Sequence, residues 1–156
     1  MSDAETELRP ATPVAAWLPG ALGVIPFAVS AGLFAFGPER WAGPALLTLL
    51  TYSAVILSFL GGIRWGMELG QNPHRPSMPL LFASTVPALA GWAILAAPGG
   101  VTPDFQIAAL MICLLFQWLW DTQSPNLPGW YPRLRTFLTL GAVVSLAVGL
   151  EQAWAL

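Results

Sequence analysis

The chain has little charge, a single cysteine and no lysine. Charged residues make up 9% of its 156 residues, against about 25% in a typical soluble domain. A soluble domain of this length must expose much polar surface to water, so the shortage of charge excludes an ordinary soluble fold. The formal net charge of −2 also gives no indication of the basic surface that nucleic-acid binding uses.

The residues that carry most enzyme chemistry are also scarce. Cys113 is the only cysteine, which excludes an intrachain disulfide and a thiolate-rich metal site and favours a small core side chain. His74 is the only histidine and lies among polar residues and prolines, so no metal site is expected. Ser58 and Ser145 lie in apolar runs without a histidine or lysine base. The sequence therefore indicates no catalytic residue, metal or cofactor, although a substrate could bring its own chemistry.

What the chain has in quantity is apolar length. Apolar residues make up 56% of it and the mean hydropathy is +0.66. About 20 apolar residues cross a bilayer as a helix, and five runs of this kind cover residues 14–36, 44–66, 78–97, 103–120 and 134–152. The predicted fold is an all-α integral membrane bundle of five transmembrane helices. It forms a single domain over residues 13–156, preceded by a mobile tail of residues 1–12, whose acidic composition does not suit a secretory signal.

The arginines predict how these helices are oriented. Five spans place the two termini on opposite faces of the membrane. Five arginines lie on the face of the N-terminus: Arg9, Arg64, Arg75, Arg133 and Arg135. Arg40 alone lies on the other. Because positive residues are enriched on the cytoplasmic side, the N-terminus is predicted to be cytoplasmic (or in the mitochondrial matrix) and the C-terminus to lie across the membrane. The predicted location is a bacterial inner membrane.

Small residues and prolines predict how the spans pack. The second span has a small residue at every fourth position: Ala54, Ser58, Gly62, Gly66 and Gly70. The fifth has a comparable series: Gly141, Ser145, Gly149 and Ala153. Such series allow two helix backbones to approach closely, so these spans are predicted to pack together, inside one chain or between two copies. Pro26 and Pro87 lie inside spans and predict kinks whose freed carbonyls a neighbouring helix satisfies.

A group of polar and aromatic residues gathers at the predicted cytoplasmic edge. Arg64 can extend to head-group phosphates or turn inward to a carboxylate, because an ionisable group inside a bundle needs a partner. Glu68 is within helical reach of it, and Asp121 is the better distant candidate. The connector after the fourth span is consistent with a hairpin lying on head groups, or with a shallow pocket for an anionic or quinone-like head group. The candidate binding residues are Arg64, Trp65, Asp121, Trp130, Tyr131, Arg133 and Arg135.

Two of these stretches resemble a known family. The segment of residues 52–66, YSAVILSFLGGIRWG, and the later segment of residues 127–135, LPGWYPRLR, resemble the family called domain of unknown function 3429. The family pattern carries over to the following positions: Gly61, Gly62, Arg64, Trp65, Gly66, Asp121, Pro128, Gly129, Trp130, Tyr131 and Arg135. The resemblance implies a small multi-span protein of bacterial inner and mitochondrial membranes and implies no activity.

Three functions are compatible with these features. The first is a non-enzymatic accessory or assembly factor that packs against a larger membrane complex, with a membrane-protein partner or a second copy as its neighbour. The second is a binder of a lipid or quinone head group at the cytoplasmic edge. The third is a small transporter, which would have to be oligomeric because five spans cannot divide evenly into two repeats. Membrane lipid is the expected surrounding in each case, and nucleic acid is not an expected partner.

Overall fold

The structure is a computed structural model that describes residues 13–97, 99–125 and 127–155. Within these ranges the chain forms six α-helices and no strand: Val14–Leu22 (α1), Ile25–Phe36 (α2), Glu39–Gln71 (α3), Met78–Leu95 (α4), Pro103–Gln123 (α5) and Tyr131–Trp154 (α6). Counting α1 and α2 as one segment, this part of the chain has five segments long and apolar enough to cross a membrane. The predicted all-α membrane bundle is therefore confirmed. The predicted tail, residues 1–12, lies outside the described residues.

Three helices extend beyond the predicted spans, and this changes where the polar residues lie. Helix α3 has 33 residues and is about 50 Å long, more than the roughly 30 Å hydrocarbon core of a bilayer. Helix α5 continues to Gln123. Helix α6 begins at Tyr131 because Pro132 occupies its first turn, where the missing N–H is not needed. Asp121 and Arg135 therefore lie on regular helices instead of in or beside a flexible connector.

The first span is broken near its predicted proline kink. Helix α1 ends at Leu22 and α2 begins at Ile25, with Pro26 as its second residue. The Tyr52 hydroxyl, from α3, donates a hydrogen bond of 2.8 Å to the carbonyl oxygen of Gly23 inside the break. A neighbouring helix thus supplies a donor where the backbone ladder is interrupted. Helix α4, in contrast, continues as one helix through Pro87.

Helix α3 lies at the centre of the bundle. It packs against α2, α4 and α5, and α6 packs against α2 and α5. The fully buried side chains come from α3, α5 and α6: Leu49, Leu57, Ile107, Leu110 and Leu146. Large apolar side chains also cover the outer surface, as expected where the surroundings are acyl chains and not water. Buried polar groups are consequently the feature that needs an explanation in this bundle.

Glycines set the close approach between α3 and α4. Gly61 lies against the carbonyl oxygen of Ser84, so that a Cβ atom at residue 61 would clash with the α4 backbone. One turn and a half deeper in α4, Gly91 lies against Ala54 of α3. The close packing that the sequence predicted for Ala54 thus involves α4, and the glycine in tightest contact is Gly61, which lies outside the predicted series.

The rest of the predicted α3 series has no neighbour within the described chain. A Cβ atom at Gly62, Gly66 or Gly70 would find no atom within 4 Å, and Ser58 is exposed. The reason is helix geometry: four residues advance about 400° around a helix, so a series at every fourth position drifts by roughly 40° per step. Five such positions cannot all face one neighbour. Packing of this face against a second chain stays a prediction.

The α6 series contacts two different helices. Gly141 lies against the Val24 side chain at the start of α2, and Gly149 lies against the Leu49 side chain of α3. Ser145 is buried between them and its hydroxyl donates to the Gly141 carbonyl oxygen at 2.8 Å. The small residues of α6 therefore do allow close packing, but their neighbours are larger side chains and not the glycines of α3.

Candidate functional site

A single carboxylate lies at the centre of the polar residues. Asp121, in the last turn of α5, is 1% exposed. Gln117 precedes it by four residues and therefore lies on the same face of the helix. Its Nε2 atom donates to Asp121 Oδ1 at 3.0 Å, and Gln117 is itself 3% exposed. Helix α5 thus presents a buried amide and a buried carboxylate to its neighbours.

Two arginines from different helices share this carboxylate. Arg64 of α3 donates from Nε to Asp121 Oδ1 at 2.8 Å, and Arg135 of α6 donates from Nε to Asp121 Oδ2 at 2.8 Å. The guanidinium groups are nearly as buried as the acid, with side-chain exposures of 10% and 7%. We call Arg64, Asp121 and Arg135 the Arg–Asp–Arg cluster. It joins three helices at one end of the bundle.

Arg64 uses its remaining donors on the end of α5. Its Nη2 atom donates to the Trp120 carbonyl oxygen at 2.7 Å, and its guanidinium carbon lies 4.9 Å from the centre of the Trp120 ring. The last four carbonyl groups of a helix lack intrahelical partners and carry the negative end of its dipole. Arg64 therefore neutralises both the Asp121 side chain and the terminus of the helix that carries it.

Arg135 is less completely satisfied. Its Nη2 atom is buried and has no hydrogen-bond partner among the described residues. Such orphaned donors are uncommon in folded proteins and cost about 1–3 kcal/mol, with more for a charged group. Counting two guanidinium groups and one carboxylate, the Arg–Asp–Arg cluster has a net charge of one positive unit. One arginine would be enough to neutralise Asp121, so the second leaves an excess of charge in a buried position.

Two cavities border the cluster. One, of about 280 Å³, lies on the outer side of Arg64 and is lined also by Glu68, Trp120 and Ser124. The other, of about 130 Å³, lies toward the middle of the bundle, and its polar lining consists of Arg135 and Thr139. Arg135 thus separates a polar edge from an apolar interior.

Glu68 has a different role from the one considered for it. The carboxylate is 7% exposed, and its Oε1 atom accepts hydrogen bonds from the backbone N–H of Ser77 at 2.6 Å and from Asn72 Nδ2 at 3.2 Å. No salt bridge joins it to Arg64 within the described chain. Glu68 therefore holds the link between α3 and α4 and leaves Arg64 to Asp121.

The other candidate binding residues lie outside the cluster. Trp65 is 42% exposed on the outer surface of α3, and Arg133 is exposed on the first turn of α6. Trp130 and Tyr131 pack edge to face, with ring centres 6.0 Å apart, at the start of the same helix. These four positions are consistent with contacts at a membrane surface. Of the seven predicted residues, the structure brings together Arg64, Asp121 and Arg135.

Sequence reasoning did not include two polar contributors. Gln117 and Thr139 lie one turn from Asp121 and Arg135, respectively, and each shares the inward face of its helix. The spacing of four residues between Gln117 and Asp121 is a signal that could have identified the first. Among the described residues, no three histidine, cysteine, aspartate or glutamate side chains come together in a way that could hold a metal ion.

Comparison with known proteins places the chain in a family. Residues 12–151 match the family described as protein of unknown function DUF3429. The chain belongs to the DUF3429 family. The resemblance predicted from residues 52–66 and 127–135 is thus confirmed, and the matched range contains the whole Arg–Asp–Arg cluster.

Curated relatives of this DUF3429 chain are animal membrane proteins. It is 38% identical over 130 residues to transmembrane protein 69 of Xenopus tropicalis, which covers 81% of this chain and 50% of the relative. It is 33% identical over 132 residues to transmembrane protein 69 of Mus musculus, covering 82% and 52%. The chain thus spans about half the length of these relatives. No solved structure matches it.

Proposed function

We propose that this DUF3429 protein binds the head group of a membrane amphiphile, an anionic lipid or a quinone, at the Arg–Asp–Arg cluster. The observation that carries the proposal is the buried Nη2 atom of Arg135, which has no partner among the described residues and belongs to a cluster with excess positive charge. An oxygen atom of a ligand would accept from Nη2 and remove the cost of the orphaned donor. Basic pockets between helices on the cytoplasmic side are suited to lipid head groups.

A purely structural tie explains less of this geometry. A tie between α5 and one neighbour needs one cation for the one carboxylate, and Arg64 already meets Asp121 and the helix terminus. Burying a second guanidinium carries a desolvation penalty of several kcal/mol. A ligand that supplies negative charge or an acceptor oxygen offsets that penalty, which gives the second arginine a physical reason to be buried.

Native mass spectrometry of the protein purified in a mild detergent tests the proposal. The wild type is expected to retain an anionic lipid or a quinone. Arg135→Gln, which removes the excess charge, should release it. Arg133→Gln is the matched control because it removes an exposed arginine two residues away on the same helix. A wild type that retains nothing, or equal retention by all three proteins, would overturn the proposal.

A conservative variant covers the case in which Arg135→Gln does not fold. Arg135→Lys keeps the charge next to Asp121 but lacks the second, independently placed donor of a guanidinium. It should fold and retain less ligand than the wild type. Unchanged retention in Arg135→Lys would show that the Nη2 atom has no part in binding.

We propose that the end of the bundle with the cluster faces the cytoplasm, in the inner membrane of a bacterium. The bias of five arginines to one supports this orientation. Fusions of a fluorescent protein and of alkaline phosphatase to the C-terminus test it, since the first is active only in the cytoplasm and the second only outside it. Phosphatase activity without fluorescence is expected, and the reverse would contradict the orientation.

A role as an accessory or assembly factor is a second candidate, and the exposed glycines of α3 favour it. Gly62, Gly66 and Gly70 lie on the outer surface with no atom near the place of a Cβ. Such a surface lets another helix approach closely. Affinity purification in mild detergent should recover a membrane-protein partner or a second copy, and Gly66→Leu should release it. Ala147→Leu, on the outer surface of α6, is the control. A protein that always runs as a monomer alone would exclude this role.

A further inference from the structure

The inner cavity beside Arg135 continues from the cluster toward the middle of the membrane. Its lining includes Leu60 of α3, Leu114 of α5 and Ala142 of α6. Each of these residues lies one or two turns from the cluster, in the direction in which its helix enters the bilayer. The cavity is thus a continuation of the polar site into the apolar part of the bundle.

This cavity has one polar end and otherwise apolar walls. Arg135 and Thr139 supply the polar atoms, and side chains such as Phe27, Ile56 and Leu138 supply the rest. Phe59, which also lines it, is 62% exposed on the outer surface of the bundle. The cavity therefore extends from a buried guanidinium to the surface that faces acyl chains, which is the shape needed for one charged head with one tail.

The volume limits what the head can be. The cavity measures about 130 Å³, close to an engineered cavity of about 150 Å³ that holds one benzene molecule. A phospholipid has a glycerol unit and two acyl chains next to its phosphate, which is bulkier than a single ring. A carboxylate at the end of one unbranched chain is small enough to reach the guanidinium.

Charge favours a carboxylate over a neutral ring of similar size. A quinone carbonyl would accept a hydrogen bond from Nη2 of Arg135 but would leave the net positive charge of the cluster in place. A carboxylate accepts the same hydrogen bond and brings one negative charge, which neutralises the cluster. Charge-assisted hydrogen bonds to arginine are also about twice as strong as neutral ones. Glu68 cannot take this role because its carboxylate is held by Ser77 and Asn72.

We infer that the ligand is a single-chain amphiphile with a carboxylate head, the class of a long-chain fatty acid. Its carboxylate lies against Nη2 of Arg135, and its chain leaves the bundle past Phe59 toward the bilayer. This inference rests on the proposed head-group function and narrows it to one chemical class.

Equilibrium binding of radiolabelled oleate to the purified full chain in detergent tests the inference. The wild type is expected to bind one oleate per chain. Oleyl alcohol, which has the same chain without the charge, should bind weaker by on the order of ten- to a hundredfold, the factor expected when a charged hydrogen-bonding group is lost. Ala142→Leu fills the cavity without touching the cluster and should reduce oleate binding by about tenfold or more. Ala147→Leu makes the same change on the outer surface of α6 and should have no effect.

The outcomes separate the inference from the proposed function. Oleyl alcohol that binds as tightly as oleate would overturn the charge argument, and full binding by Ala142→Leu would overturn the cavity assignment. If phosphatidylglycerol is retained in an Arg135-dependent manner while oleate does not bind, the inference fails and the head-group function stands. If neither amphiphile binds, both fail.

Discussion

Arg135 and Asp121 meet across the interface of two helices that the sequence connects through a turn, with Nε 2.8 Å from Oδ2. The other carboxylate oxygen receives Nε of Arg64 at the same distance. One buried acid thus determines the relative position of α3, α5 and α6 at their common end. The bundle depends on Asp121 more than on either arginine, because it is the only described acid that either guanidinium contacts.

Replacing this acid should destabilise the bundle strongly. Asp121→Asn leaves two guanidinium groups buried without a counter-charge, and breaking a buried ion pair in this way costs about 3–5 kcal/mol. Thermal unfolding in detergent should show a large decrease in Tm. Glu151→Gln removes an exposed acid of α6 and serves as the control. Equal Tm values for the two variants would contradict a buried cluster.

Replacing the whole cluster by apolar residues should have the opposite effect on stability. The triple variant Arg64→Met, Asp121→Leu, Arg135→Met removes every buried charge together, and such replacements are often neutral or stabilising by about 1–4 kcal/mol. It is expected to unfold near the wild-type Tm or above it, and to retain no anionic lipid, quinone or fatty acid. Wild-type ligand retention by the folded triple variant would show that the cluster is only structural.

Two adjacent glycines should respond oppositely to the same substitution. At Gly61 a Cβ atom would clash with the Ser84 carbonyl of α4, whereas at Gly62 it would meet nothing within 4 Å. Gly61→Ala should therefore destabilise the α3–α4 interface by about 1–3 kcal/mol. Gly62→Ala should stabilise α3 by up to about 1 kcal/mol, because alanine is the better helix former. Comparison of the two Tm values is the measurement, and a loss at both positions would contradict the packing.

These glycines show why a sequence predicts the fold of such a chain better than its contacts. Runs of apolar residues indicate the five spans directly, because the bilayer sets their length. The direction in which a residue faces depends on all neighbours, and a series such as Gly62, Gly66, Gly70 can be presented to another helix or to lipid. The sequence contained the interface glycine, Gly61, but its spacing did not distinguish it from Gly62.

The candidate site was predictable to a similar degree. Antiparallel spans bring the end of α3, the end of α5 and the start of α6 to one face, which is why Arg64, Asp121 and Arg135 could be grouped in advance. Whether Arg64 extends to lipid or turns inward depends on its exposure and on the length of α5, which continues far enough to place Asp121 on a buried face. The orphaned Nη2 atom of Arg135 has no signature in the sequence at all.

The break in the first span gives a further prediction, which concerns the Tyr52 hydroxyl. Its hydrogen bond of 2.8 Å to the Gly23 carbonyl crosses from α3 to the gap between α1 and α2, and the Tyr52 ring also packs edge to face on Phe27 at 5.0 Å. Tyr52→Phe keeps the ring contact and removes only the hydrogen bond. It should cost about 0.5–1.5 kcal/mol and increase hydrogen exchange locally, at the backbone amides on either side of Gly23. The same substitution at the other tyrosine, Tyr131→Phe, should leave those amides unchanged. Unaltered exchange in Tyr52→Phe would mean that the break is held by packing and not by this hydroxyl.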